Sequence, residues 1–195
     1  MDRPDHDGTR IDLSDITVEV VTDPAAAAAV AQVAAATFAL ACPPHSTPED
    51  IAGFISTSLQ ESNFRDHIAD PLADVVVARD GVGGPVIGYT LVLHTEPSHP
   101  DVCAVVTERP VSEVSKMYVL PDHHSRQGVT PSHQLMSVAL DRARAHGSTM
   151  AWLGVNQLNV RAQRFYTKMG FTRVGVKTFS LNGSIEHDYV FTRSL

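Results

Sequence analysis

Asn159 and Tyr166 stand seven residues apart, about two turns of a helix, so a helix through them sets both on one face. An asparagine side chain offers a donor and an acceptor at once, and a phenol can give a proton to a departing anion. Each has a plainer use as well, Asn159 as the N-cap of that helix and Tyr166 as an aromatic packing residue. Glu113 lies at the start of a strand-like run, where a carboxylate can take a proton from an ammonium ion or simply face solvent. That proton matters because an alkyl ammonium, with a pKa of about 10.4, has no lone pair with which to attack.

The ten histidines invite a metal, but His123 and His124 are adjacent, and His6, His45, His67, His94, His99, His133, His146 and His187 are scattered. No spacing resembles a zinc site, and no metal is expected. Cys42 and Cys103 form no CxxC pair, which disfavours a disulfide framework or thiolate metal site and fits a reducing compartment. Fifteen Lys and Arg against twenty-two Asp and Glu give a formal charge of −7. That balance disfavours nucleic acid and anionic membrane as partners and suits a cationic or neutral substrate. No signal-peptide pattern and no apolar run of about eighteen residues is read in the chain, so a soluble cytoplasmic protein is expected.

These groups need a scaffold, and 195 residues with 43% hydrophobic content suffice for one domain with its own core. Residues 1–14 have little to bury and read as a flexible arm, leaving residues 15–195 as the domain. A strand is expected from Ile16 to Val21. Asp23-Pro24 then opens an alanine-rich helix to about Leu40, and Thr47-Pro48-Glu49-Asp50 opens another carrying Ile51, Phe54, Ile55 and Leu59. Strands follow at Asp74 to Arg79 and Val86 to His94. The glycines between them form a turn and not a phosphate loop, since a strand follows. Thr95 to Pro110 reads as an insertion of a length that often borders an active site. Next come a strand at Glu113 to Leu120, a helix from Thr130 or Pro131 to His146, a strand at Met150 to Asn156 and a short helix from Asn159 to Lys168. Two strands close the chain, Phe171 to Leu181 and Glu186 to Thr192, joined by a turn at Asn182-Gly183.

The segment from Trp152 to Phe171 contains a strand, then Asn159-Val160-Arg161-Ala162, then Phe165-Tyr166-Thr167-Lys168-Met169-Gly170-Phe171. In order and spacing it resembles the second cofactor motif of the GNAT superfamily of acetyl-CoA-dependent N-acetyltransferases, and the element order extends the resemblance from Ile16 to Leu195. The resemblance implies an α/β (α+β) fold with a mixed, mostly antiparallel sheet of about seven strands and about four flanking helices. It also implies that the sheet splays between the fourth and fifth strands, where the pantetheine of acetyl-CoA slots in. On that basis Asn159 bonds the pantetheine, with Asn156, Arg161, Met117, Tyr118 and Val119 beside the cofactor. Tyr166 protonates the leaving thiolate, and Glu113 matches by position the glutamate that serves as base in several members.

The family's pyrophosphate loop follows the pattern Gln/Arg-Xaa-Xaa-Gly-Xaa-Gly/Ala and offers bare amides and a helix N-terminus to the anion. Here Met117-Tyr118-Val119-Leu120-Pro121 fits the strand before it, but the loop departs. Gln127 on the first position puts Thr130 and Ser132 where glycines belong; Gly128-Val129 on the glycine step gives the other register. In either, Thr130 and Ser132 can offer amides and hydroxyls, Arg126 can add a charge-assisted contact and His124 stands close by.

The resemblance implies acetyl transfer to a primary amine. The stretches Thr178 to Leu181 and His187 to Val190 are similar to polyamine-acetyltransferase-like members, pointing to a small, cationic acceptor. Two other readings stay open: a non-catalytic acyl-CoA-binding module, suggested by the altered loop, and acetylation of peptide or protein amino termini. A homodimer is compatible with all three.

Overall fold

Continuous apolar runs such as Val75-Val76-Val77 make central strands buried on both faces, and in the computed structural model the sheet has seven strands in the order β1-β2-β3-β4-β5-β7-β6. The structure describes residues 16–124, 130–181 and 184–195; the expected arm and the turn residues Asn182 and Gly183 lie outside them. The strands are β1 (Ile16–Val20), β2 (Ala73–Asp80), β3 (Val86–Leu93), β4 (Val111–Val119), β5 (Met150–Asn156), β6 (Thr172–Leu181) and β7 (Ser184–Ser194). Only β4 and β5 pair in parallel; every other neighbour is antiparallel.

The helices are α1 (Ala27–Ala41), α2 (Pro48–Ser58), α3 (Glu61–Ala69), α4 (Pro100–Val105), α5 (Pro131–Ala145) and α6 (Val160–Lys168). Six described helices stand where the sequence suggests about four. Thr47 and Asp50 form the capping box that starts α2, and Asn63 Oδ1 accepts from the Gln60 N–H at 2.9 Å at the start of α3, a helix absent from the sequence reading. The 95–110 insertion is not all loop either: His99 caps α4, and Pro100 occupies its first turn.

On one face of the sheet α1 and α3 bury Val30, Val33 and Phe64 against Val75, Val77, Tyr89 and Leu91. On the other, Met136 and Leu140 of α5 and Phe165 of α6 cover Leu153, Val155 and Phe191 in a second core that Phe171 completes. Each large side chain so buried contributes about 1.5–3 kcal/mol relative to exposure. Asp23 caps the turn before α1, its carboxylate accepting from the Ala25 N–H at 2.9 Å. The stretch Pro24–Ala41 is long and apolar enough by length and composition to cross a membrane, contrary to the expectation that no such run exists. Its alanines raise mean hydropathy while filling little volume, and Ala27, Val30, Val33, Ala34 and Thr37 are buried within the domain.

Candidate active site

Two departures from regular sheet geometry create the site. The first is the short β4–β5 ladder, which holds only Val111↔Met150, Ser112↔Ala151 and Glu113↔Trp152. Beyond it Val114–Val119 and Leu153–Asn156 continue as strands without pairing to each other, so the sheet opens between its fourth and fifth strands, as expected.

The second departure is a β-bulge on β4. Leu91 pairs with Lys116 and Val92 with Val114, leaving Ser115 as the extra residue. Side chains of a regular strand alternate between faces, which would set Glu113, Ser115 and Met117 together. The bulge instead aligns Glu113, Lys116 and Tyr118 opposite Leu93, Leu91 and Tyr89, on the α1 side, and turns Val114 and Met117 into the second core.

A cleft of about 410 Å³ fills the opening. Glu113, Met117, Tyr118, Val119, Ser132, Asn156, Asn159, Arg161 and Tyr166 all line it. Thr130 does not; it caps α5, its hydroxyl 2.7 Å from His133 Nδ1. Arg126, Gln127, Gly128 and Val129 lie outside the described residues, so the two loop registers both stand. No residue of 95–110 lines the cleft among those described, against the expectation that this insertion borders the site. Its helix instead packs Val102 and Val106 behind Trp152 and Val190.

Asn159 takes up its N-cap reading, Oδ1 accepting from the Ala162 N–H at 3.1 Å at the start of α6, and the residue also lines the cleft. Asn156 Oδ1 accepts from the Leu158 N–H at 2.9 Å, and its Nδ2 reaches Glu186 Oε2 at 3.4 Å. Burial holds the Tyr166 phenol protonated, its pKa pushed up to about 12. Burial also raises the Glu113 carboxyl above the usual range, against the opposing pull of Lys177 and Lys116. The Lys116 ammonium is shifted the other way: burial lowers its pKa more than Glu113 restores it. Asp188 is raised by burial and by Glu186, with Lys177 opposing.

Sequence reasoning missed Lys116, Lys177, Asp188 and Glu186. Lys177 projects from β6 across β7, its Nζ 3.8 Å from Asp188 Oδ2 and 5.8 Å from the Trp152 ring centre. Glu186 is buried and accepts from His45 at 2.6 Å. The only available signal was alternation along β6 and β7, which does not show where a neighbouring strand is missing.

Three residues that look scattered in sequence also meet away from the cleft. His94 and His146 stack with ring centres 3.6 Å apart beside Asp74. Arg142 donates to both oxygens of Asp74, at 2.8 and 3.3 Å, so the carboxylate is engaged by a guanidinium and the group is an ion-pair cluster. Burial raises the Asp74 carboxyl, but hydrogen bonds from Arg142 and His94 outweigh it and hold it below the usual range. His94 Nδ1 continues the network to Ser112 and thence to Ser148, at 2.8 and 2.7 Å.

The profile of the acetyltransferase (GNAT) family matches residues 35–171, a span that includes the opened strands, α5 and α6. The chain belongs to the GNAT family. An uncharacterized N-acetyltransferase of Mycobacterium bovis is 40% identical over 166 residues, covering 85% of this chain and 96% of its own. A relative from Mycobacterium tuberculosis matches to the same extent. Among solved structures, the PaiA N-acetyltransferase from Thermoplasma acidophilum in complex with coenzyme A superposes with a TM-score of 0.68 at 15% identity, covering 92% of this chain and 99% of that one. A GNAT-family acetyltransferase from Streptococcus pneumoniae gives 0.63 at 17%, over 93% and 99%. These two establish the likeness of fold.

Proposed function

We propose that this GNAT enzyme transfers the acetyl group of acetyl-CoA to the primary amine of a small, cationic acceptor by direct attack on the thioester. The observation that carries the reading is the gap between β4 and β5, with three paired residues at its closed end and Asn159 and Tyr166 along its wall. Unpaired strand edges present backbone N–H and C=O groups that an extended amide-bearing chain can satisfy. Pantetheine is such a chain. Coenzyme A bound to the Thermoplasma relative agrees with this choice of cosubstrate.

At the open end, Ser132 in the first turn of α5 and Arg161 in α6 suit the phosphates, since a helix N-terminus and a guanidinium both favour an anion. Glu113 at the closed end and Asp188 on β7 opposite Asn156 supply carboxylates to the cleft for a cationic acceptor. Glu113, its carboxyl raised by burial, accepts the ammonium proton. The free amine attacks the carbonyl carbon, the C–S bond breaks, and Tyr166 gives its proton to the thiolate. A thiol with a pKa of about 8.5 is mostly protonated near neutral pH, so the product is the CoA thiol, and solvent returns a proton to the phenolate. Two unpaired cysteines, Cys42 and Cys103, agree with action in the cytoplasm.

Incubation with acetyl-CoA, a panel of amines including spermidine, and a thiol reagent tests the reading. Amine-dependent thiol release is expected. Calorimetric CoA binding with no release across the panel would instead make this a binding module, and acetylated products confined to a peptide library would move the acceptor to protein amino termini.

A further inference from the structure

The chain contains twelve arginines but only three lysines, Lys116, Lys168 and Lys177, and two of these three line the cleft. Lys168 ends α6 and is exposed. The two cleft lysines differ in their surroundings. Lys177 lies beside the Asp188 carboxylate at 3.8 Å and over the Trp152 ring, so its Nζ is already engaged. Lys116 is half-buried on the opened part of β4, and among the described residues no carboxylate forms an ion pair with it. The bulge at Ser115 puts it on the same face as Glu113, with Tyr166 also lining the cleft.

We infer that Lys116 is an internal acceptor, a modification site at which the chain acetylates itself when no external amine fills the cleft. The inference rests on the proposed acetyl-CoA reading. Burial lowers the Lys116 pKa, which raises the fraction carrying a lone pair. In the step, Nζ bonds to the thioester carbonyl carbon and the C–S bond breaks. The thiolate takes the Tyr166 proton, and the proton displaced from Nζ passes to Glu113 and, through solvent, restores the phenol. The products are Nε-acetyl-Lys116 and CoA thiol. An amide is stable, so the event happens once per chain, removes a positive charge next to Glu113 and fills the cleft from within.

Incubating the full chain with acetyl-CoA and no amine, followed by intact-mass analysis and peptide mapping, tests this. One acetyl group per chain is expected on Lys116, accumulating at least roughly tenfold faster than on Lys168, which lies outside the cleft lining, or Lys177, which is paired with Asp188. CoA release should be a burst of one equivalent that Lys116→Arg abolishes and Tyr166→Phe slows. Equal labelling of the three lysines would be ordinary chemical acetylation and would overturn the inference. Amine turnover without label on Lys116 would overturn it while leaving the proposed function standing; absence of CoA binding would remove both.

Discussion

Lys177 occupies the space in which a side chain on Gly154 would begin: a Cβ at Gly154 would fall 2.7 Å from Lys177 Cε and 3.3 Å from Asp188 Oδ2. The glycine on β5 is therefore what lets a lysine from β6 lay its stem across β7 and bring its ammonium into the cleft. Sub-van-der-Waals contact with a flexible stem is relieved by moving that stem, so a larger residue here evicts Lys177 without unfolding the sheet.

Gly154→Val is accordingly expected to reproduce the kinetic phenotype of Lys177→Met. Both remove a cation that opposes the upward shift of Glu113. The rising limb of rate against pH should move to higher pH in each, and a double variant should show little further shift. Additive shifts in the double variant would mean that the two residues act separately.

Tyr166→Phe removes only the phenolic proton. Turnover is expected to fall by about 10²-fold or more with CoA affinity nearly unchanged. Single-turnover kinetics and calorimetry separate the two; equal turnover in both proteins would take the acid role away from Tyr166.

Glu113→Gln should remove the rising limb altogether if Glu113 is the base. It also carries a stability signature. A carboxyl raised by burial contributes most when protonated, below its unfolded pKa of about 4.3, and that contribution is lost as pH rises through the folded value. The glutamine variant should therefore melt at an equal or higher temperature than the parent at neutral pH while losing activity. Lower stability there would contradict the burial of the charge.

Asp74→Asn breaks the cluster with Arg142, His94 and His146. A cost on the order of 1–3 kcal/mol is expected, less than for a fully buried pair because Arg142 is 37% exposed. Here the sign reverses. The carboxyl is held low, so its contribution is present above the unfolded pKa of about 3.9 and lost as pH falls through the folded value. Denaturant melts of parent and variant should converge only in that acid range.

The succession of strands along the chain, the parting of β4 from β5, and the helix that carries Asn159 and Tyr166 were legible because one continuous motif, Trp152 to Phe171, carries strand, cap and helix together and holds the family resemblance. Lys116 was not legible. Its orientation depends on a bulge, and a single extra residue at Ser115 inverts the alternation that a sequence reading must assume. Lys177 and Asp188 were hidden for another reason: they act across strands far apart in the chain, and their meeting depends on the absence of a side chain at Gly154. The cluster around Asp74 unites residues from β2, β3 and α5 and its C-terminal end, for which no local spacing exists. The second and third capping signals were present at Gln60 and His99 but fall on residue types weakly associated with helix starts.

The three-residue seam between β4 and β5 also governs how the molecule holds together. One wing, β1 to β4 with α1 and α3, has its own core, and the other, β5 to β7 with α6, shares a core with α5. Because α5 touches strands on both sides of the seam, it is the splint across a break in the sheet. Under the proposed function a cosubstrate lodged in that break would be mortar as well as reagent, so its binding is expected to raise the melting temperature.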